Sequence, residues 1–488
     1  MRILSFYNED QELKPVDVEL MLWPGLPTIQ FVGGADLTLK ESAARIKSAI
    51  KAAGFQFPVA QQILVNLKPT HIRKSSRGLE LAVALAYLWA TEQVEAPELG
   101  RVTIYGELGL RGQVEEPADL ARARVTQGEV VLTGAGSASA AADFPVRRLS
   151  HLADLRAGGN GFYELEADTA RGVPMSRPPP VGNEFVSAAE ARLLEIIGVG
   201  GHHTLLAGPA GSGKSTFARL LHTMLPDLSI TEERELRREQ RDDPEAGSWR
   251  PLIEPHSTTP RMAMLGGGNP PRPGEIVRAH RGLLVLDELL EFDGEVLEAL
   301  RGPFETGELR VGRLAGVRKY AVDCVIAATT NLCPCGDLVP GLTPNLRCRY
   351  SAKRCRSYGE RLSGPLLDRF QVLHYPPRKS PAREIRVAEV RAKVLRVQAW
   401  QRERGRNLSN RRLSGADLWA QVSPTVREIG FTSQALSERR RLAALRVARS
   451  IADLDLRDEI RLEDFNEAMP WAVDNFSRLH QWQMDLRH

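Results

Sequence analysis

Apolar residues along this chain follow two different periods, and the period changes with position. Near the N-terminus Val16, Val18, Leu20 and Leu22 alternate with polar neighbours, as a strand with one buried face requires. Glu41 to Ala53 carries helical spacing and stops at Gly54, and Ile63–Leu67, Val102–Tyr105 and Val130–Leu132 are short strand-like runs. Residues 1–170 therefore predict a unit mixing strands and helices. Leu79–Ala90 is the longest apolar stretch; it contains Glu80, is too short to span a bilayer, and predicts a core helix. The pattern breaks over residues 171–182, where Pro174 and Pro178-Pro179-Pro180 suit a stiff spacer and no sheet or helix interior. Beyond it, Thr204–Ala207, Leu283–Leu286 and Cys324–Thr330 are continuously apolar rather than alternating. Such strands are buried on both faces, so residues 183–378 predict an α/β core with a parallel sheet. Residues 379–488 show no clear strand; Leu436–Leu454 and Leu462–Trp471 have helical spacing and predict a helical domain.

Composition adds limits rather than a function. The chain has 488 residues, 42% hydrophobic and 26% charged, which fits about three soluble globular domains. A net charge of +4 permits a nucleic-acid partner without arguing for one. Met1–Glu12 lacks the apolar core of a secretory signal. Five cysteines, four of them between Cys333 and Cys355, do not form a secreted disulfide framework. The expected location is cytoplasmic, with no membrane span.

The chemistry is concentrated after the strand Thr204–Ala207. Gly208-Pro209-Ala210-Gly211-Ser212-Gly213-Lys214-Ser215, followed by Thr216, is a GxxxxGK[ST] phosphate loop. Its glycines let backbone N–H groups approach one anion, Lys214 supplies a point charge, and Ser215 a hydroxyl for Mg²⁺. Lys214 is the only lysine between Lys74 and Lys319. A simple glycine-rich turn is the competing reading; the apolar strand before and the amphipathic helix after it argue against that. At the end of Leu283–Leu286, Asp287 is expected to hold Mg²⁺ and Glu288 to polarise an attacking water. An ordinary acidic strand end is the alternative. The third strand ends at Thr329-Thr330-Asn331, where Asn331 is the candidate contact to the γ-phosphate or the lytic water and Thr330 the reserve; a plain turn remains open. In Leu366-Leu367-Asp368-Arg369-Phe370, Arg369 sits in an apolar setting. An arginine supplied to a neighbour's γ-phosphate would imply a ring, whereas pairing to Asp368 is the bland reading.

Two further groups of residues invite a ligand. Cys333, Cys335, Cys348 and Cys355 fall within 23 residues, so two readings stay open: structural Zn²⁺ in an insert over residues 331–360, or unliganded thiols. Cys348 and Cys355 would share a face if that stretch is helical. Gly307–Tyr320 reads as a hairpin with a turn at Leu314-Ala315-Gly316, decorated by Arg310, Arg313, Arg318 and Lys319 with no acid between Glu308 and Asp323. Such a hairpin can track DNA phosphates or be a solvated charged surface.

Taken together these residues resemble the AAA+ ATPases of the magnesium-chelatase-like group, and within it the ComM/YifB competence-protein family, over nearly the whole chain. The specific strings are Arg272-Pro273-Gly274-Glu275, Leu286-Asp287-Glu288-Leu289, Asn331 with Cys333-Pro334-Cys335-Gly336, and Ser363-Gly364-Pro365-Leu366-Leu367-Asp368-Arg369. Val32-Gly33, Lys40-Glu41-Ser42 and Gly54-Phe55-Gln56-Phe57-Pro58 match the family's leading domain. The resemblance implies a P-loop AAA+ core, a C-terminal helical lid and an N-terminal α+β Lon-protease-like domain. It implies that Lys214 and Ser215 are Walker A, Asp287 and Glu288 Walker B, Asn331 sensor 1, Arg369 an arginine finger and Arg439 the sensor 2 arginine. Where the Lon-type nucleophilic serine would stand the chain has Gly78, in Ser75-Ser76-Arg77-Gly78, so proteolysis is not expected, with Ser75 and Ser76 the serines nearest that place. The second half of the cysteine cluster departs from the family's CxC, with Tyr350 in the last place. The implied activity is a hexameric, ATP-dependent DNA translocase whose hairpins line a central pore and drive branch migration in homologous recombination during natural transformation. A magnesium-chelatase motor subunit and a protein-remodelling AAA+ ATPase are the rival readings.

Overall fold

The computed structural model describes residues 1–9, 12–32, 37–68, 78–96, 101–123, 125–126, 129–136, 144–157, 163–164, 181–229, 232–233, 236, 249–267, 272–313, 316–336, 350–377, 382, 384–406, 409–432 and 437–485. The chain forms two compact units, Met1–Pro174 and Met175–His488.

The N-terminal unit is built on one sheet of eight strands: β1 Arg2–Glu9, β2 Glu12–Pro24, β3 Ile29–Val32, β4 Gln61–Lys68, β5 Val102–Ile104, β6 Val130–Thr133, β7 Val146–Arg148 and β8 Tyr163–Glu164. Their spatial order is β8-β7-β6-β5-β1-β2-β4-β3. The alternation in β2 works as anticipated, because Val16, Val18 and Leu20 are buried while Asp17 pairs with Arg2 on the other face. Helices α1 Leu37–Ala52 and α2 Leu79–Ala90 share a core with Val18, Ile63, Val65 and Leu67. Glu80 is buried in α2 and fully answered: it accepts hydrogen bonds from Ser42 Oγ and from the Leu108 amide at 2.9 Å, and pairs with Arg45. Burial of a carboxylate is tolerated only with partners of that kind. At Gly78 an added Cβ would lie 2.3 Å from the Tyr105 ring, so neither serine nor any other side chain fits there. Ser75 and Ser76 lie outside the described residues.

The C-terminal unit is centred on a five-stranded parallel sheet: β9 Thr204–Ala207, β10 Leu252–Ile253, β11 Leu283–Leu286, β14 Val325–Thr330 and β15 Val372–His374, in the order β10-β11-β14-β9-β15. Strands β12 Glu308–Arg313 and β13 Gly316–Ala321 form a separate antiparallel hairpin between β11 and β14 in sequence. Successive residues of the central strands enter different cores. Leu206, Val285 and Ala327 pack with helix α3 Ala188–Gly200, helix α4 Lys214–Thr223 and the C-terminal helices α7 Val387–Glu403 and α8 Glu438–Leu454. Leu205, Leu284 and Ile326 pack on the other side with helix α5 Gly294–Thr306 and helix α10 Asn475–Asp485. In sequence, α6 Ala352–Gly359 falls between α5 and α7, and α9 Leu462–Met469 between α8 and α10. The continuous apolar runs are thus explained by cover on both faces.

Polar ties join the helical region to the sheet. Asp323, just before β14, meets Arg281 at 2.9 Å, Arg412 at 2.8 Å and Arg411 at 2.5 Å, and these guanidinium groups hold its carboxyl well below the usual range against the opposing effect of burial. His202 and His203 are buried at the start of β9. The His203 Nδ1 atom accepts from the Ile326 amide at 3.1 Å, which requires that nitrogen to be unprotonated. Burial pushes His202 down to about 3 and His203 well below its usual value, and it also lowers His222 and His374. The unfolded chain therefore takes up protons below about pH 6.5 that the fold refuses, and stability falls as pH drops from there toward 3. Each such histidine contributes up to about 1.4 kcal/mol per pH unit between its ordinary value and its own lowered one. Urea midpoints of the protein should fall between pH 7 and pH 5; a midpoint that holds or rises would contradict neutral burial.

Candidate functional site

Three strand ends create the site. The parallel register sets Ala207 beside Thr330 and Leu286 beside Ala328, so the residues that follow β9, β11 and β14 emerge side by side at one sheet edge. That is the edge where open α/β sheets bind ligands.

The phosphate loop, Gly208–Ser215, leaves β9 and enters α4. Gly211 and Gly213 have φ of 74° and 82°, a left-handed conformation that glycine adopts without strain. The loop is pinned from outside and inside: the Gly208 amide donates to Thr330 O at 3.1 Å, the Ala210 amide to Gly336 O at 2.8 Å, and Ser212 Oγ to Pro209 O at 2.9 Å. No side chain caps the N-terminus of α4, so its first amides remain available to an anion, with Thr216 exposed in its first turn. Lys214 is buried. Its Nζ donates to Gly208 O at 3.0 Å, Pro209 O at 2.7 Å and Asn331 Oδ1 at 3.1 Å. Burial lowers the ammonium's affinity for its proton, partly opposed by Asp287 and Glu288.

Ser215 Oγ donates to Asp287 Oδ1 at 2.8 Å, so the hydroxyl and carboxylate expected to hold Mg²⁺ share one spot. Two oxygen ligands from separate elements suit a hard cation that keeps several waters. Glu288 follows in a left-handed conformation, φ 55°, which is strained for a residue with a Cβ. Its amide is tied to Thr329 Oγ1 at 3.0 Å, while the carboxylate is exposed beside Asp287. Thr329 in turn donates to Asp287 Oδ1 at 2.5 Å. Thr329 thus orients both acidic residues, a role that the sequence reading, fixed on Asn331 and Thr330, did not see. Only the register of β11 against β14 reveals it.

Arg369 lies elsewhere. It precedes β15, which runs parallel to β9, so it sits at the sheet edge opposite the phosphate loop, about 13 Å away at about 3.3 Å per strand residue. There it pairs with Glu305 and donates to Arg301 O at 3.5 Å. Arg439 is at the same edge, 3.4 Å from Glu305 and 3.7 Å from Asp368, and is half-exposed. Neither arginine is brought to Lys214. At this end of α8 it is the next arginine, Arg440, that turns inward, as Arg449 does further along the helix. Arg440 donates to Phe370 O at 2.7 Å and stacks 3.9 Å over the Phe476 ring, because it sits three and four residues before the buried Ala443 and Ala444.

Cys333, Cys335 and Cys355 form a thiol cluster: Cys335 Sγ donates to Cys333 at 3.1 Å, and Cys333 and Cys355 are 3.2 Å apart. These separations exceed a disulfide bond of about 2.05 Å. They are also shorter than the edge of a zinc tetrathiolate, about 3.8 Å for Zn–S bonds of about 2.3 Å. Among the described residues no group of three or more His, Cys, Asp or Glu is arranged to hold a metal. Cys348 lies outside the described residues.

In the hairpin, Arg310 stands opposite Lys319, Val311 opposite Arg318, and Arg313 opposite Gly316. Arg310 and Lys319 are exposed, with Glu308 3.9 Å from Arg310; the side chains of Arg313 and Arg318 and the turn residues Leu314 and Ala315 lie outside the described residues. Like charges directly opposite one another on a ribbon cost stability unless an anion answers them. Leu309 and Tyr320 root the hairpin in the core. No described helix is long and apolar enough to cross a membrane.

Comparison with known proteins covers the same ground. Residues 185–383 match the family described as magnesium chelatase, subunit ChlI; residues 18–129 match subunit ChlI of Mg-chelatase; and residues 384–471 match the magnesium chelatase subunit ChlI C-terminal family. The chain is 31% identical over 492 residues to the uncharacterized protein YifB of Salmonella typhimurium, covering 94% of each. It is 31% identical over 488 residues to competence protein ComM of Haemophilus influenzae, again 94% of each. An uncharacterized protein of Mycobacterium tuberculosis is 33% identical over 374 residues, 73% of each.

The Thr329 contacts can be examined directly. Thr329→Val keeps shape but leaves the Glu288 amide and the Asp287 carboxylate without that partner. ATP turnover should fall about tenfold, as is typical for groups that orient ligands, with KM for ATP little changed. A rise in KM at unaltered kcat would assign Thr329 to nucleotide binding instead.

Proposed function

The chain belongs to the ComM/YifB-like branch of the magnesium-chelatase-like AAA+ family, and from that premise we propose that it is a ring-forming ATPase that moves DNA. The family carries the use of ATP and Mg²⁺. The observation that supports the ring is the position of Arg369. It lies at the far edge of the sheet from Lys214 and cannot serve its own nucleotide; its side chain is mostly covered by its pairing with Glu305, which is half-exposed beside Arg439, so an adjoining subunit would have to draw it out to use it. A closed ring, hexameric by family resemblance, satisfies every subunit in the same way.

In this reading Lys214 and the amides Gly208–Thr216 grip the phosphates, and Ser215 and Asp287 hold the cation. Mg²⁺, when bound, neutralises phosphate charge and fixes its geometry. Glu288, held in its strained turn, takes the proton of the attacking water, and Asn331, already within reach of Lys214, contacts the terminal phosphate. Arg369, with Arg439 in support, stabilises charge on the neighbour's departing phosphoryl group. Glu305, which both arginines contact, stands two residues before Gly307, where α5 turns into the hairpin. Movement at the shared interface is thereby passed to Arg310, Arg313, Arg318 and Lys319, which track DNA phosphates. The name of the Haemophilus relative points to competence. Extended to this chain, the work done is branch migration in homologous recombination during natural transformation. The N-terminal unit is read as Lon-protease-like without peptidase chemistry, since Tyr105 fills the space at Gly78. A magnesium-chelatase motor or a protein-remodelling ATPase would use the same ATP site.

Structural Zn²⁺ at Cys333, Cys335, Cys348 and Cys355 requires the three described thiols to spread by about half an ångström and Cys348 to join them. Elemental analysis of purified protein separates the two readings: about one zinc per chain, lost in Cys348→Ser, supports the site, and a metal-free wild type leaves the thiols unliganded.

Function is tested on a three-strand DNA junction. Wild type should drive ATP-dependent branch migration, Lys214→Ala should abolish it, and Glu288→Gln should cut turnover at least about a hundredfold while ATP still binds. Arg313→Ala should move DNA poorly while still hydrolysing ATP. Mixing Lys214→Ala subunits with Arg369→Ala subunits should restore part of the ATPase, since some interfaces then pair an intact Lys214 with an intact Arg369. Absence of such complementation would place Arg369 in its own site, and a wild-type ATPase that neither responds to DNA nor moves it would end the translocase reading.

A further inference from the structure

The hairpin is not the only acid-free basic run in the C-terminal unit. Between Asp337 and Glu360 there is no acidic residue and there are five basic ones: Arg347, Arg349, Lys353, Arg354 and Arg356. The last three are on α6. Lys353 and Arg354 are exposed and no described carboxylate pairs with them, whereas Arg356 is 3.3 Å from Glu360. Three cations in four consecutive positions of a helix without an acid among them repel one another, at a few tenths of a kcal/mol per close pair. The Arg354 guanidinium stacks 4.2 Å over the half-buried Tyr350 ring, which holds it flat and leaves its N–H edge to solvent.

Helix α6 is also fastened to the nucleotide site, on two sides. Its buried Cys355 touches Cys333, in the loop that begins at Asn331 and whose Gly336 carbonyl receives the amide of Ala210 in the phosphate loop. Its Tyr358 hydroxyl donates to Glu291 at 2.9 Å, three residues past Glu288, and Arg361 just beyond the helix donates to Phe292 O at 2.6 Å. A push on α6 therefore reaches Lys214 and Asn331 through one route and Glu288 through the other.

We propose that the basic face of α6, made by Lys353, Arg354 and Arg356, is a second contact to the phosphate backbone of DNA, separate from the hairpin, and the one through which bound DNA accelerates ATP hydrolysis. This deepens the DNA-translocase reading and rests on it. The contact is to phosphate and so is independent of base sequence.

The test uses the full chain and a fluorescent single-stranded oligonucleotide titrated at several salt concentrations, together with ATP turnover with and without DNA. Lys353→Ala/Arg354→Ala should bind several-fold more weakly at moderate salt. The slope of log K against log salt should become shallower by about 1.4, since each lost contact to a single strand removes about 0.7. Tyr358→Phe should keep the wild-type slope and lose most of the stimulation of ATP turnover by DNA. If wild type binds DNA with a salt-dependent slope and the double variant matches it in slope and affinity, the α6 contact is wrong and the hairpin reading stands. If the double variant loses affinity but Tyr358→Phe is stimulated like wild type, α6 binds DNA without signalling and the second half of the proposal falls. If wild type shows no salt-dependent binding to DNA, both this inference and the translocase reading fall together.

Discussion

The parallel register of β9, β11 and β14 is the constraint on which the rest of this protein depends. Setting Ala207 beside Thr330 and Leu286 beside Ala328 makes three loops leave the sheet within reach of one another. From that follow the Lys214–Asn331 and Ser215–Asp287 contacts and the double hold of Thr329 on Asp287 and Glu288. A shift by one residue would turn alternate side chains to the opposite core and take Thr329 away from both acidic residues. The register is protected because both faces are buried: Leu206, Val285 and Ala327 feed one core, and Leu205, Leu284 and Ile326 the other.

The opposite edge of the same sheet has a different character. It gathers Arg369, Arg439, Glu305 and Asp368, with Arg411, Arg412 and Arg281 converging on Asp323 nearby in sequence to the hairpin's end. Here arginines meet carboxylates through long side chains, whereas at the phosphate-loop edge Lys214 is held by the Gly208 and Pro209 carbonyls and Asp287 by the short Ser215 and Thr329 side chains. The first arrangement can exchange partners when another surface arrives; the second keeps one geometry. In the ring we propose, that division would keep the nucleotide-contacting residues fixed while residues at the subunit contact change partners. The thiol cluster and α6 extend the rigid side outward, since Cys333, Gly336 and Tyr358 connect a basic surface to the phosphate loop and to the turn carrying Glu288.

The candidate nucleotide site is largely legible in the amino-acid sequence. The phosphate loop announces itself because glycine, lysine and serine each do something no other residue does at that spacing, and Leu283–Leu286 is a strand of the predicted length because a fully buried strand has no polar position to blur its ends. Other elements were not legible. The strand Arg2–Glu9 pairs along its whole length with Glu12–Pro24, but its mixed residues have no clear alternation and its partner defines it. That Arg440 rather than Arg439 packs on Phe476 turns on a 100° rotation about the helix, which helical spacing alone does not resolve. The cysteines could be counted, yet neither their mutual distances nor their link through Gly336 to Ala210 could be read from spacing.

What the amino-acid sequence determined by itself is local: which segments are buried, where the chain must turn left-handed, and which residues carry phosphate chemistry. These depend on side-chain identity and near neighbours. What only the tertiary structure decided is which residues separated by tens or hundreds of positions meet: Thr329 with Asp287 and Glu288, Arg369 with Glu305 at the edge away from Lys214, and Cys355 of α6 with Cys333 in the loop that supports the phosphate loop. Those meetings are set by strand register and by burial on both faces of the sheet, and neither is a property of any single segment.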